Sequence, residues 1–192
     1  EESFLHWPTE YDKEYRPKAK DEFWFPEIEK ATTEKLEALI LFKLKNTLAW
    51  AWDKSPFYRK KWKEAGVKPS DLKTLKDLSK FPVIEKEDLR RAQEEKPPFG
   101  SYLCVSTKEV ARIHGTSGTT GVPTIFGISS DDWNRIANAH ARILWAGGLR
   151  PEDSVFIGSF FSLYVGSWGM MAGAERLGAT VFPFGAGIAG QT

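Results

Sequence analysis

One short segment constrains this chain more than any other: Gly115-Thr116-Ser117-Gly118-Thr119-Thr120-Gly121-Val122-Pro123-Thr124, set between two stretches that read as strands. Its three glycines, Gly115, Gly118 and Gly121, let the backbone take positive φ and bring N–H groups close to a ligand. The hydroxyls of Thr116, Ser117, Thr119 and Thr120 crowd further donors onto the same turn, which makes a cradle for a polyanion. Pro123 fixes its own φ and removes one N–H, so the chain is expected to return there to extended backbone. Read as bare composition, the same residues also describe a Gly/Ser/Thr hairpin turn with no ligand.

The segment is not a Walker A sequence, because Val122 follows the last glycine where that motif needs lysine. No lysine occurs after Lys108. Charge on a bound phosphate would have to be met by backbone dipoles, hydroxyls, a metal ion or a distant arginine.

The order of residues is more telling than their composition. Thr-Ser-Gly-Thr-Thr-Gly-x-Pro resembles the phosphate-binding signature of the adenylate-forming superfamily of acyl-CoA synthetases, luciferases and peptide-synthetase adenylation domains. Thr124 stands where most members carry lysine, a departure that resembles the phenylacetate-CoA ligase branch. Ser55-Pro56-Phe57-Tyr58-Arg59, the run from Phe81 to Arg90, Arg112-Ile113-His114 and the run from Gly173 to Thr180 look like the same branch, in its order and at similar spacing. The resemblance begins near Leu36.

It implies an α/β fold: an N-terminal helical segment, then the start of a mixed or parallel sheet with flanking helices, part of the large N-terminal domain of such enzymes. It implies two half-reactions, in which carboxylate and ATP give an acyl-adenylate and coenzyme A then takes the acyl group. The implied cofactors are ATP, Mg2+ and coenzyme A, and the implied partner is a small aromatic carboxylic acid. By the same resemblance, Ser117, Gly118, Thr119, Thr120 and Gly121 hold ATP phosphates, while Phe161, Tyr164 and Gly166 belong to the acid pocket. Ser159 is smaller than the tyrosine often found at its position. The family's catalytic lysine and its magnesium, adenine and ribose contacts lie downstream of the region matched, so no catalytic residue is assigned. The expectation is residues 1–31 as a leader or packing arm and residues 32–192 as the first part of the adenylate-forming domain. The remainder of the enzyme, or a companion chain, would complete it, with homodimerisation left open. A nucleotide-binding or interaction subunit without chemistry, and an adenylating relative that does not use coenzyme A, remain alternatives.

Composition narrows the classes. A net charge of +1 gives no basic field of the kind nucleic-acid binders show. The single cysteine, Cys104, excludes an internal disulfide and agrees with a reducing, cytoplasmic setting. No apolar run reaches the ~18 residues of a membrane span. Three scattered histidines and one cysteine give no metal-ligand spacing, so magnesium would arrive with ATP. His114 reads either as a group that orients a phosphate or as a structural strand-end residue, and taken alone it favours the second.

The pattern of apolar residues from Thr33 predicts a long helix ending before Pro56, then a short one stopping at Gly66. Trp50, Trp52 and Trp62 read as core anchors. A third helix is expected over 85–92, followed by a solvated charged loop. Strands are expected over 110–113, 124–128, 153–158 and 179–182. Between them lie a helix capped at Ser129 or Ser130 and running to Gly147, and one over 164–177. The last strand–helix–strand is the mark of a parallel βαβ unit. Gly166, Gly169 and Gly173 in its helix cost ~1 kcal/mol each against alanine, which implies that something packs closely there.

Overall fold

The computed structural model of this chain describes residues 15–116 and 123–185. The chain divides into two compact units, one comprising Glu1–Asp12, Ala31–Glu109 and Thr124–Gly127, the other Lys13–Lys30, Val110–Pro123 and Ile128–Thr192.

The first unit is helical. Thr32 starts α2 (Thr33–Lys54) by accepting the Lys35 N–H on its side chain, after a single turn, α1 (Pro26–Glu29), in the other unit. Ser55 ends α2 and caps α3 (Pro56–Glu64), its Oγ accepting from Tyr58 N and donating to Ser101 O at 3.1 Å. Pro56 sits at the first helical position, where a missing N–H costs nothing. After two 3-10 turns, α4 (Lys86–Glu95) opens on a capping box between Glu85 and Asp88. That helix runs three residues past its expected end, because Glu94 and Glu95 continue it on a solvated face.

Leu48, Trp62, Leu72 and Phe81 form one core of this unit, and Phe57, Ala92 and Tyr102 a second. Trp62 is buried and Trp52 stacks on it at 6.3 Å with planes 13° apart, as core anchors should. Trp50 is not an anchor: it is 48% exposed, with the Lys54 ammonium over its ring. The apolar residues of α2 spread around the helix, so helical spacing alone did not separate the buried side from the wet one. Ile125 is tied on both sides of its backbone, its N–H to Gln93 Oε1 at 3.0 Å and its carbonyl to the Tyr102 hydroxyl at 2.7 Å.

The second unit holds β1 (Val110–Gly115) and the last two residues of β2 (Ile125–Ser129). Ser129 caps α5 (Ser130–Ala146) in a reciprocal box with Asp132. β3 (Ser154–Phe156), α6 (Val165–Leu177) and β4 (Thr180–Phe182) form the expected βαβ unit, with β3 and β4 parallel in the register Ser154 to Thr180. The strands are shorter than their sequence patterns, since only three residues of each are paired.

Helices α5 and α6 approach closely at two glycines. A Cβ on Gly173 would stand 2.5 Å from His140 Cβ and 2.8 Å from Ala141 N, and one on Gly169 would overlap the His140 ring. This is the close neighbour that the glycine spacing implied.

Trp24 joins Ala141, Trp145, Leu177 and Ala179 in the core of the second unit. Trp24 is 1% exposed, lies edge-on to Trp145 at 5.7 Å and donates its indole N–H to Asn138 Oδ1. Trp145 returns a hydrogen bond to Asp21 O, Arg150 holds Ala19 O, and Arg16 holds Arg176 O. Trp24, from the stretch expected as a leader or packing arm, is thus a core residue.

Candidate functional site

The chemistry-bearing residues of the second unit gather where β1 ends. Alternation along a strand places Arg112 and His114 on one face. Both lie against the ring of Trp133 from the first turn of α5. His114 stacks nearly parallel to it, with planes 8° apart and centroids at 5.5 Å, and the Arg112 guanidinium carbon stands 4.0 Å from its centroid. The same guanidinium lies 5.6 Å from the ring of Trp168 on α6. Cation–π contacts of this kind contribute about 0.5–2 kcal/mol each.

Trp168 leads to the segment before α6. Its indole N–H donates to Ser162 O at 2.8 Å, and Phe161 meets its ring edge-on at 4.8 Å. The next carbonyl, Leu163 O, accepts from Gly115 N at 2.9 Å and lies 3.1 Å from His114 Nδ1. The Ser167 hydroxyl lies 3.0 Å from Ser159 Oγ and 2.9 Å from Phe160 O, which braces the start of the same segment. Residues 159–164 are thus tied to β1, to Trp168 and to the buried Ser167.

The expected acid-pocket residues fall into two groups. Tyr164 and Gly166 meet: the tyrosine ring lies where a Cβ on Gly166 would be, so glycine is what lets the ring fold back. Phe161 pairs instead with Trp168. Tyr164 remains 49% exposed and Phe160 54% exposed. The expected phosphate contacts Ser117, Gly118, Thr119, Thr120 and Gly121 lie outside the described residues. Flanking them, His114 and Thr124 are both buried. Sequence reasoning missed Arg112, Trp133 and Trp168 as a cluster. The available signal was the i, i+2 placement of Arg112 and His114 on a strand, but their common partner comes from α5. Among the described residues, no three His, Cys, Asp or Glu side chains gather to hold a metal ion. Nor is any described helix long and apolar enough to cross a membrane.

No family model matches the chain. The phenylacetate-coenzyme A ligase of Escherichia coli (strain K12) is 43% identical over 160 residues, covering 83% of this chain and 36% of that enzyme. The enzyme of the same name from Thermus thermophilus is 40% identical over 163 residues, covering 85% and 36%. Among solved structures, 2-hydroxyisobutyryl-CoA ligase in the postadenylation state with 2-HIB-AMP superposes with a TM-score of 0.91 at 50% identity, over 97% of this chain and 39% of that one. The same ligase with 2-HIB-AMP and CoA in its thioesterification state gives 0.92 at 52%, over 96% and 39%.

The chain belongs to the adenylate-forming superfamily. It corresponds to the N-terminal portion of the CoA ligases and spans about 36% of the length of the curated relatives it matches. The helical first unit and the small sheets with flanking helices match that region of the CoA ligase structures, as the sequence reading expected.

Proposed function

We propose that the complete protein is an AMP-forming acid–CoA ligase. It activates a small carboxylic acid with ATP and passes the acyl group from the adenylate to coenzyme A. One observation carries the reading: a fold match at TM-scores of 0.91 and 0.92, with half the residues identical, to ligase structures that hold an acyl-AMP, and in one case CoA as well.

In this reading Ser117, Gly118, Thr119, Thr120 and Gly121 take the ATP phosphates. Their N–H and O–H groups meet the negative charge that grows on departing pyrophosphate, and preorganised donors are worth most at that moment. Magnesium, arriving with the nucleotide, would supply further neutralisation of the phosphates. Phe161, Tyr164 and Gly166 would border the acid, and the edge-on Phe161–Trp168 pair supports an aromatic substrate by offering it flat apolar walls.

A second reading of the substrate has its own support. The solved structures at 50% and 52% identity are ligases of a branched hydroxy acid, whereas the curated relatives named for phenylacetate stand at 40–43%. The deciding experiment gives the full-length protein ATP, coenzyme A and equal amounts of phenylacetate and 2-hydroxyisobutyrate, and counts the thioesters by mass spectrometry. The aryl reading expects phenylacetyl thioester in excess, and expects Tyr164→Ala to reduce that excess. Excess hydroxyacyl thioester transfers the proposal to the second substrate. Acyl-adenylate without thioester identifies an adenylating relative with another acceptor. No product from either acid, nor from a wider panel, would leave the non-catalytic alternative standing.

A further inference from the structure

Leu163 O is an unusual carbonyl because two donors from adjacent residues of one strand converge on it, Gly115 N–H at 2.9 Å and the imidazole of His114 at 3.1 Å. A carbonyl has two lone pairs and can only accept, so the proton of the neutral ring is assigned to Nδ1. The ring is 5% exposed, and its other nitrogen, Nε2, is buried with no hydrogen-bond partner among the described residues. Leaving a buried polar atom unpaired is costly, and phenylalanine would stack on Trp133 without that cost. What histidine adds over a hydrocarbon ring is therefore the Nδ1 contact.

We propose that His114 is a positioning residue for the acid substrate. Its Nδ1–H clamps Leu163 O, so that the segment bearing Phe161 and Tyr164 is held in register with Gly115, the first residue of the glycine-rich run. The proposal rests on the ligase reading above and adds a residue to it. Trp168, bonded to the preceding carbonyl, Ser162 O, anchors the same segment from α6. With the two consecutive carbonyls fixed, the rings on either side keep their places. Loss of the His114 contact leaves Gly115 N–H as the one remaining described bond to Leu163 O, and the acid-side residues shift while the chain still folds.

The test uses the full-length protein and acid-dependent exchange of pyrophosphate into ATP, with KM measured separately for acid and for ATP. Asparagine places an amide N–H close to where Nδ1 stands, glutamine places its amide near Nε2, and phenylalanine keeps only the stack. His114→Asn is expected to stay close to wild type. His114→Gln and His114→Phe are expected to raise KM for the acid roughly tenfold, the worth of one lost hydrogen bond, with KM for ATP changed by less than about twofold. The Gly115 amide should also exchange its hydrogen faster in His114→Phe than in His114→Asn. Rescue by Gln but not by Asn would overturn the proposal, as would an equal rise in KM for ATP or three variants all like wild type. Absence of acid-dependent exchange in the wild type would instead sink the ligase reading. Gly115 protection alone then decides the clamp, and equal protection in the Phe and Asn variants refutes it.

Discussion

Substituting alanine for Gly173 tests the closest approach in the second unit. A Cβ there would stand 2.5 Å from His140 Cβ and 2.8 Å from both Ala141 N and His140 C, where ordinary contact begins at 3.4 Å. Two of those three atoms are α5 backbone, so relief requires moving a helix and not merely turning a side chain. Overpacking of this kind costs about 1–3 kcal/mol, and the rigid neighbours place this case near the top of that range. Replacing a helical glycine returns ~1 kcal/mol, which leaves a net loss of about 1–2 kcal/mol. Gly166→Ala in the same helix is the control. There the obstructing atoms are the far end of the Tyr164 ring, which is half exposed and free to swing outward, so the two terms should cancel to within about 0.5 kcal/mol. At a urea slope of about 2 kcal/mol/M, Gly173→Ala should lower the unfolding midpoint by about 0.5–1 M, and Gly166→Ala should barely move it. If Gly173→Ala equals or exceeds wild-type stability while Gly166→Ala falls below it, the account of how α5 and α6 pack is wrong.

Ser55→Ala should destabilise the first unit by about 2 kcal/mol, because it removes the cap of α3 and leaves the Ser101 carbonyl without its donor; urea denaturation checks it. The Lys61 ammonium, 2.6 Å from Asp88, and the Glu85 N–H hold the Asp88 carboxyl below the usual carboxylate range. A depressed folded pKa means that this contribution is present above the unfolded value of about 3.9 and is lost as pH falls through the folded one. The stability difference between wild type and Asp88→Asn should accordingly be flat from pH 7 to about 5 and shrink below about pH 4, which a series of urea midpoints across that range would reveal.

Local signals carried much of this fold. Ser129, Thr33 and Gly66 marked helix ends in the sequence, and the structure starts or stops helices within a residue or two of them. The βαβ unit from Ser154 to Phe182 was legible because strand, glycine-spaced helix and strand follow one another without interruption. Trp50 was misread because helical spacing says which residues share a side but not which side is covered. Trp24 was illegible for the opposite reason: its burial depends on Trp145 and Asn138, more than a hundred positions away. The Arg112–Trp133–Trp168 cluster joins a strand to two helices and so leaves no local pattern. The order of residues in the glycine-rich segment made the family legible, and relatives at 40–43% identity support that resemblance.

The ligase reading requires the segment between β1 and β2 to grip the triphosphate of ATP. Thr119→Ala combined with Thr120→Ala in the full-length protein removes two hydroxyl donors from the proposed phosphate cradle. Acid-dependent exchange of labelled pyrophosphate into ATP should then fall by roughly a hundredfold, as loss of charge-stabilising donors does elsewhere. Exchange that persists at the wild-type rate would show that the triphosphate is held by other residues.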